Sequence, residues 1–356
     1  MGLPELKMQF MQKAATAIER SAKGIVALIL KDDTQVLQSE FNYKSVDDIE
    51  AAKFTADNID YIKKVFMGTP SKMIIEVIPT TATDFSNVLK ILGIKKWNYL
   101  AIPKIEAAQT TDIASWIKTQ RDTNHKTFKA VLPNCAGDHE GIINFCTDEI
   151  KTKDSDKKYS TAEYCSRIAG ILAGLPFTRS ATYFVLSEVE SIKESTDPNK
   201  DVDDGKLILI NDGEDIKIAS GVNSLTTLVD PKGADWKDIL IIDKMDLNRD
   251  DISDTWAKEY VGKVINIYNN KMLFISSVNA YFLELKTQDN FFDPDSENKA
   301  QINLQAQKIY LQSQGVDVLD MKDQDILTAN TGKKVFVSAN VKYTNAMQDL
   351  NFDVYM

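Results

Sequence analysis

Residues able to do catalysis are few in this chain and poorly grouped. Only His125 and His139 are present, so the usual proton carrier near neutral pH is scarce. Cys135, His139 and Cys146 cluster in sequence and could hold zinc. Their spacing fits no familiar zinc module and a fourth ligand is missing, so buried or loop residues without metal are expected. Gly68-Thr-Pro-Ser-Lys72 has one glycine, and a proline where backbone amides should cradle phosphate, so it does not read as a nucleotide loop. Asp246-x-Asn248-x-Asp250 resembles the start of a calcium loop, but Asp251 stands where the turn needs Gly and Ala257 where the bidentate Glu belongs. Those acids read better as the favoured charges of a helix N-terminus. Gly170-Ile-Leu-Ala-Gly174 is a small-residue spacing that predicts close helix–sheet packing. No Gly-x-Ser-x-Gly elbow occurs, and Asp47-Asp48 and Asp203-Asp204 read as solvated loop ends. The expectation is a non-enzyme with no catalytic residue, no metal and no cofactor.

Bulk properties narrow the class further. The net charge of −10, without a basic stripe, argues against binding phosphate-lined nucleic acid. A composition of 43% apolar and 26% charged residues is that of a soluble globular protein. No run of roughly 18 or more apolar residues exists, so no membrane insertion is expected. The opening Met-Gly-Leu-Pro-Glu lacks a basic-then-apolar leader pattern, and Glu5 and Lys7 spoil a myristoylation motif. Three cysteines, odd in number and widely spaced, fit a reducing compartment without a disulfide framework. A chain of 356 residues suggests two domains.

The elements alternate. Apolar runs or periodicities predict strands over 24–30, 73–78, 98–102 and 128–132. Between them, helical spacing covers 58–67, 85–92 with Gly93 as C-cap, and a segment holding Ile113, Trp116 and Ile117. Such alternation argues for βαβ units and a largely parallel sheet. Ser160 with Glu163 three residues later is a capping box opening a helix over 160–175. Residues 191–204 read as an acidic surface loop, and Asp212-Gly213 as the turn of a hairpin between 206–210 and 215–219. Helices are expected over 251–268, 271–286 and 300–313, with an acidic loop at 289–298.

Both ends read as lone strands. Leu6, Met8 and Phe10 alternate with polar residues, as do Leu350, Phe352 and Val354. A lone strand cannot satisfy its backbone groups, so each must join a sheet, its own or a neighbour's. A polar helical stretch at 12–23 follows the first. Before the last, Val335, Val337, Ala339, Val341 and Tyr343 alternate on odd numbers, whereas the final row uses even numbers. A one-residue phase change flips the buried face, so 345–349 must break the two segments.

An ordered set of stretches carries a family resemblance. They are Glu19-Arg-Ser-Ala-Lys-Gly-Ile-Val-Ala-Leu-Ile-Leu-Lys31, Asn98-Tyr-Leu-Ala-Ile-Pro103 and His139-Glu-Gly-Ile-Ile-Asn-Phe145. Arg167-Ile-Ala-Gly-Ile-Leu-Ala-Gly-Leu-Pro176, Gly221-Val-Asn-Ser-Leu-Thr-Thr227, Tyr260-Val-Gly-Lys263 and Ala329-Asn-Thr-Gly-Lys-Lys-Val-Phe336 complete it. The chain resembles contractile phage tail sheath proteins of the short type found in Gram-positive myophages and phage-tail-like bacteriocins. Ser220 departs from that family, in which Arg often precedes the Gly-Val-Asn segment. The resemblance implies an α/β (mixed α+β) fold of two compact domains with extended N- and C-terminal β-strand arms. It divides the chain into an arm at 1–23, an α/β domain at 24–220, an assembly domain at 221–344 and an arm at 345–356.

The resemblance further implies stacked six-fold rings around an inner tail tube, in a virion tail or tail-like particle assembled in the bacterial host cytoplasm. Partners would be the chain itself, the tube protein, and baseplate and terminator proteins. The arm rows Leu6, Met8, Phe10 and Leu350, Phe352, Val354 would add to neighbours. Val335 to Tyr343 would receive them, 12–23 and 345–349 would be hinges, and Lys258 and Lys263 would face the tube. Two rivals are an α/β enzyme working at the carboxyl edge of its sheet and another phage structural protein, such as a tube or capsid subunit.

Overall fold

The structure, a computed structural model, describes residues 17–18, 24–34, 39–154 and 156–356. The strand expected at 5–10 and nearly all of the helix expected at 12–23 lie outside the described residues. Two compact units form, the larger from Ser21–Asp250 with Asn345–Met356, the smaller holding Asp251–Thr344.

The larger unit is built on a seven-stranded sheet. Its strands are β1 (Ile25–Lys31), β2 (Glu40–Tyr43), β3 (Lys72–Ile78), β4 (Tyr99–Ala101), β5 (Lys129–Pro133), β6 (Ile142–Phe145) and, later in the chain, β10 (Lys206–Leu207). Their order is β10-β6-β5-β4-β1-β3-β2, parallel throughout except for the antiparallel edge strand β2. The crossovers are α1 (Ala56–Phe66), α2 (Ser86–Gly93), α3 (Ala107–Asp122) and α4 (Thr161–Gly174). Both faces of the sheet are covered, which explains why its strands are continuous apolar runs. Val26, Leu28 and Leu30 face one core with Tyr61, Ile62 and Ile168. Ala27 and Ile29 face the other with Leu89, Leu92, Ile113 and Ile117.

Ser160 caps α4 and Glu163 completes the box, as the spacing predicts. The glycines of α4 pack closely, but against a helix end and not the sheet: a Cβ at Gly170 would overlap the Val65 carbonyl, and one at Gly174 the Gly68 carbonyl. A three-stranded antiparallel sheet of β7 (Asp148–Thr152), β8 (Lys158–Tyr159) and β9 (Val189–Lys193) is additional to the expected elements. So is α5 (Pro198–Asp203), which together with the end of β9 occupies part of the expected acidic loop. The hairpin around Asp212-Gly213 is β11 (Leu209–Asn211) with β12 (Ile216–Ile218); residues 206–207 join the main sheet instead as β10.

Two helix boundaries differ from expectation. α6 runs over Ile239–Thr255 and ends in a π turn at Trp256–Tyr260, so it stops short of the expected 268. Gly262 adopts a φ of 72°, through which a right-handed helix cannot continue. The acids Asp246 and Asp250 therefore sit inside a helix, not at its N-terminus. The division expected after residue 220 also differs, because 221–250 packs on the larger unit: Ser224 donates its backbone N–H to Ile142 O at 2.8 Å and its hydroxyl to His139 O at 3.0 Å.

The smaller unit contains α7 (Tyr268–Asp289), β13 (Lys299–Ile302), α8 (Leu304–Ser313), α9 (Asp323–Thr328) and β14 (Val337–Asn340). Helix α8 starts later than expected because Asn303 caps it, accepting from the Ala306 N–H at 2.9 Å, and the preceding residues form β13. Among the described residues no helix is long and apolar enough to cross a membrane.

Candidate functional site

The residues first considered for chemistry do not converge. His139 lies beside Asp122 and Glu140, with its Nε2 at 3.2 Å from Asp122 Oδ1. Its Nδ1 accepts the Gly141 N–H at 3.0 Å, which leaves the proton on Nε2 to donate to Asp122. Glu140 is already paired with Lys232 at 2.8 Å. The cysteines take no part: Cys135 is buried among apolar side chains, and burial pushes the Cys146 thiol up to about 12. Asp246 is buried against a bidentate Arg121, both contacts at 2.9 Å, and against Lys129. Burial opposes ionisation of Asp246, but the two cations prevail and hold its carboxyl below the usual range. Asp250 accepts from Thr127 at 2.7 Å, so the calcium-like spacing serves to dock α6. At the carboxyl end of β1, Asp32 is likewise taken up by Thr34, Thr55 and Asn58.

The residues expected to receive a neighbour's strand are more regularly arranged. β13 and β14 make an antiparallel two-stranded sheet, with Ala300 opposite Ala339 and Ile302 opposite Val337. Beyond it, Phe292 bridges to Tyr343, and the Tyr343 ring packs on Phe291 and Phe292. Lys342 pairs with Asp293 at 2.7 Å, an exposed contact that lowers the Asp293 carboxyl pKa.

Hydrogen-bond parity gives this sheet a direction. In an antiparallel pair, backbone groups of successive residues point alternately to opposite edges. Asn303 N–H bonds Phe336 O at 2.9 Å, Lys342 N–H bonds Asn298 Oδ1 at 2.9 Å, and Lys342 O accepts from Asp293 at 2.8 Å. Even-numbered residues of the β14 segment thus face inward to β13 and its continuation. Val337, Ala339 and Val341 turn their N–H and C=O the other way, and no strand pairs with that edge among the described residues. The outer edge of β13 is different. Asn279 of α7 accepts the Ala300 N–H at 2.7 Å and donates to the Ala300 carbonyl at 3.1 Å. Nothing in the sequence-based expectations singled out Asn279; its only local signal is a polar residue one turn from the buried Ile275 and Phe282.

The C-terminal segment, expected to be an arm, groups with the larger unit. Asn345 is tied to Asp238 at 2.9 Å, where burial pushes the Asp238 carboxyl up, and Gln348 accepts from Thr182 at 3.4 Å. Beyond these ties residues 350–356 form no strand. Leu350, Phe352 and Val354 are 85%, 77% and 69% exposed. Leu6, Met8 and Phe10 lie outside the described residues. Lys258 and Lys263 are exposed and adjacent, Lys263 donating to the Lys258 carbonyl, with Lys258 also 4.0 Å from Asp254. Lys263 lines an open groove of about 600 Å³ with Trp256, Tyr260, Phe274 and Lys271.

Comparison with known proteins gives this arrangement its setting. A family model described as the phage tail sheath C-terminal domain matches residues 231–356. The tail sheath protein of Clostridium phage phiCD119 is 38% identical over 366 residues, covering 100% of this chain and 99% of that protein. A solved sheath tail protein from Desulfitobacterium hafniense shares the fold at a TM-score of 0.70 and 14% identity, over 84% of this chain and 94% of its own. The contracted helical sheath of the anti-feeding prophage does so at a TM-score of 0.72 and 12% identity, over 100% of this chain and 99% of its own. The full-length identity shows that this α/β chain belongs to the phage tail sheath protein family.

Proposed function

We propose that the chain polymerises as a contractile sheath by strand exchange: residues 350–356, carrying Leu350, Phe352 and Val354, add to the free edge of β14 in a neighbouring subunit. The observation that carries this is a complementarity within one sequence. Among the described residues no strand pairs with the outward backbone groups of Val337, Ala339 and Val341, and the same sequence ends in an exposed, alternating segment that forms no strand. Main-chain hydrogen bonds supply affinity and the alternate side chains supply register. Each large apolar side chain of the segment that leaves water contributes about 1.5–3 kcal/mol. The row Leu6, Met8, Phe10 would be the second donor, and 12–23 and 345–349 the hinges.

Stacked six-fold rings around a tail tube follow from the same reading, with baseplate and terminator proteins at the ends of a virion tail or tail-like particle. Compact units exchange interfaces during contraction while the added strands keep subunits joined. The energy lies in subunit packing, so a structural and not an enzymatic role suffices. Lys258 and Lys263 are assigned to the tube-facing side.

Deleting residues 350–356 tests the proposal. The truncated chain should keep the far-ultraviolet circular dichroism and melting behaviour of the full chain, yet form no tubular polymers by electron microscopy. Tubes of unchanged yield would overturn it.

A further inference from the structure

We infer that Asn279 closes the outer edge of β13, so that the sheet grows on the β14 side only and a second incoming strand has to pair with the first. The inference rests on the strand-exchange reading above and adds a specificity residue to it. The side-chain amide of Asn279 presents an N–H and a carbonyl to the strand, the same pair that a residue of an added strand would present. Both are spent on Ala300, at 2.7 and 3.1 Å. β13 is four residues long. By the parity derived above, Ala300 and Ile302 are the residues within it that point outward. With Ala300 engaged, an added strand would keep a single partner residue there. It would also have to displace the half-buried Asn279 amide from both of its bonds to Ala300. A strand edge blunted in this way is a device against unwanted pairing.

Among the described residues the β14 edge carries no such block at Val337, Ala339 or Val341. The strand-exchange reading has two donor rows, whereas one edge of the sheet is without a partner among the described residues. The resulting order is β13, β14, first donor, second donor. The second position comes into being only when the first is filled, so assembly at each sheet is sequential.

Cysteine pairs in the full chain read the strand order. The apolar row Leu350, Phe352 and Val354 is taken to continue the inner face of Ala300 and Ile302. Asn351 then lies on the outer face, level with Asn340 and Gln301. Asn340→Cys with Asn351→Cys should give disulfide-linked oligomers in polymerised protein, and Gln301→Cys with Asn351→Cys should give none. Native thiols will not interfere, since burial holds the half-buried Cys146 at about 12. Adding Asn279→Ala should make the Gln301→Cys pair cross-link. Hydrogen exchange at Ala300 in the unmutated chain is a second reading that needs no variant: its amide should be protected before polymerisation and gain nothing on assembly. Cross-links at both edges with Asn279 intact, or new protection of Ala300 on assembly, would overturn the inference while leaving strand exchange standing. Cross-links at neither edge would overturn strand exchange and this inference with it.

Discussion

Lys271 is 4% exposed, donates to Thr331 Oγ1 at 3.0 Å, and has no carboxylate partner among the described residues. Burial lowers its pKa from 10.5. The unfolded chain therefore binds more protons than the folded one below that value, and the lysine's contribution to stability improves as pH rises toward 10.5. Lys271→Met should remove that slope: the melting-point difference between variant and parent should change steadily from neutral toward alkaline pH, and a constant difference would contradict the reading. Asp246 is the opposite case, a buried charge surrounded by partners. Asp246→Ala should destabilise the larger unit by about 3–5 kcal/mol in urea unfolding, because Arg121 would keep only Glu140 at 3.7 Å and Lys129 only Asp243 at 3.1 Å, too little anionic charge for two buried cations. A loss under about 1 kcal/mol, the worth of an exposed pair, would show the pair to be solvated. These roles were not legible in the sequence for a physical reason. The partners of Asp246 lie 125 and 117 residues away, and the local spacing of acids says nothing about contacts at that range.

Elements were legible where one local signal dominated. The buried runs of β1, β3, β4 and β5 announce a doubly covered parallel sheet, and Ser160 with Glu163 fixes the start of α4. Elements whose identity is set by tertiary pairing were not. The sheet of β7, β8 and β9 is largely polar outside Ile150, Tyr159 and Val189 and has no period to read. The start of α6, Ile239–Ile242, is an apolar run too short to distinguish helix from strand. For β14 the sequence supplied the odd-numbered row, whereas the edge it faces emerged only from the bonds of Asn303 and Lys342. That edge assignment makes a test at this scale. Proline is tolerated in an edge strand where its missing N–H faces outward. Ala339→Pro should therefore fold like the parent but fail to polymerise, as judged by circular dichroism and sedimentation. Ser338→Pro removes an inward N–H and should melt lower as well. Polymerisation of the Ala339→Pro chain would contradict the assignment of the open edge.

At the scale of the whole molecule, the resemblance read from ordered stretches and the full-length identity to a phage tail sheath protein agree. The terminal row was read from its alternation alone; in the structure Leu350, Phe352 and Val354 are exposed and form no strand. The exposed segment and the β14 edge are different surfaces of one chain, so the contact proposed between them would be heterologous, joining each subunit to the next and not pairing like with like. Growth through such a contact is open-ended and directional, and its length is set by whatever ends it. In that reading a chain that keeps the β14 edge but lacks residues 350–356 would accept its neighbours' strands and return only its N-terminal row. It would be a weak link, and a small admixture of such subunits would shorten the polymer without altering the fold of any member.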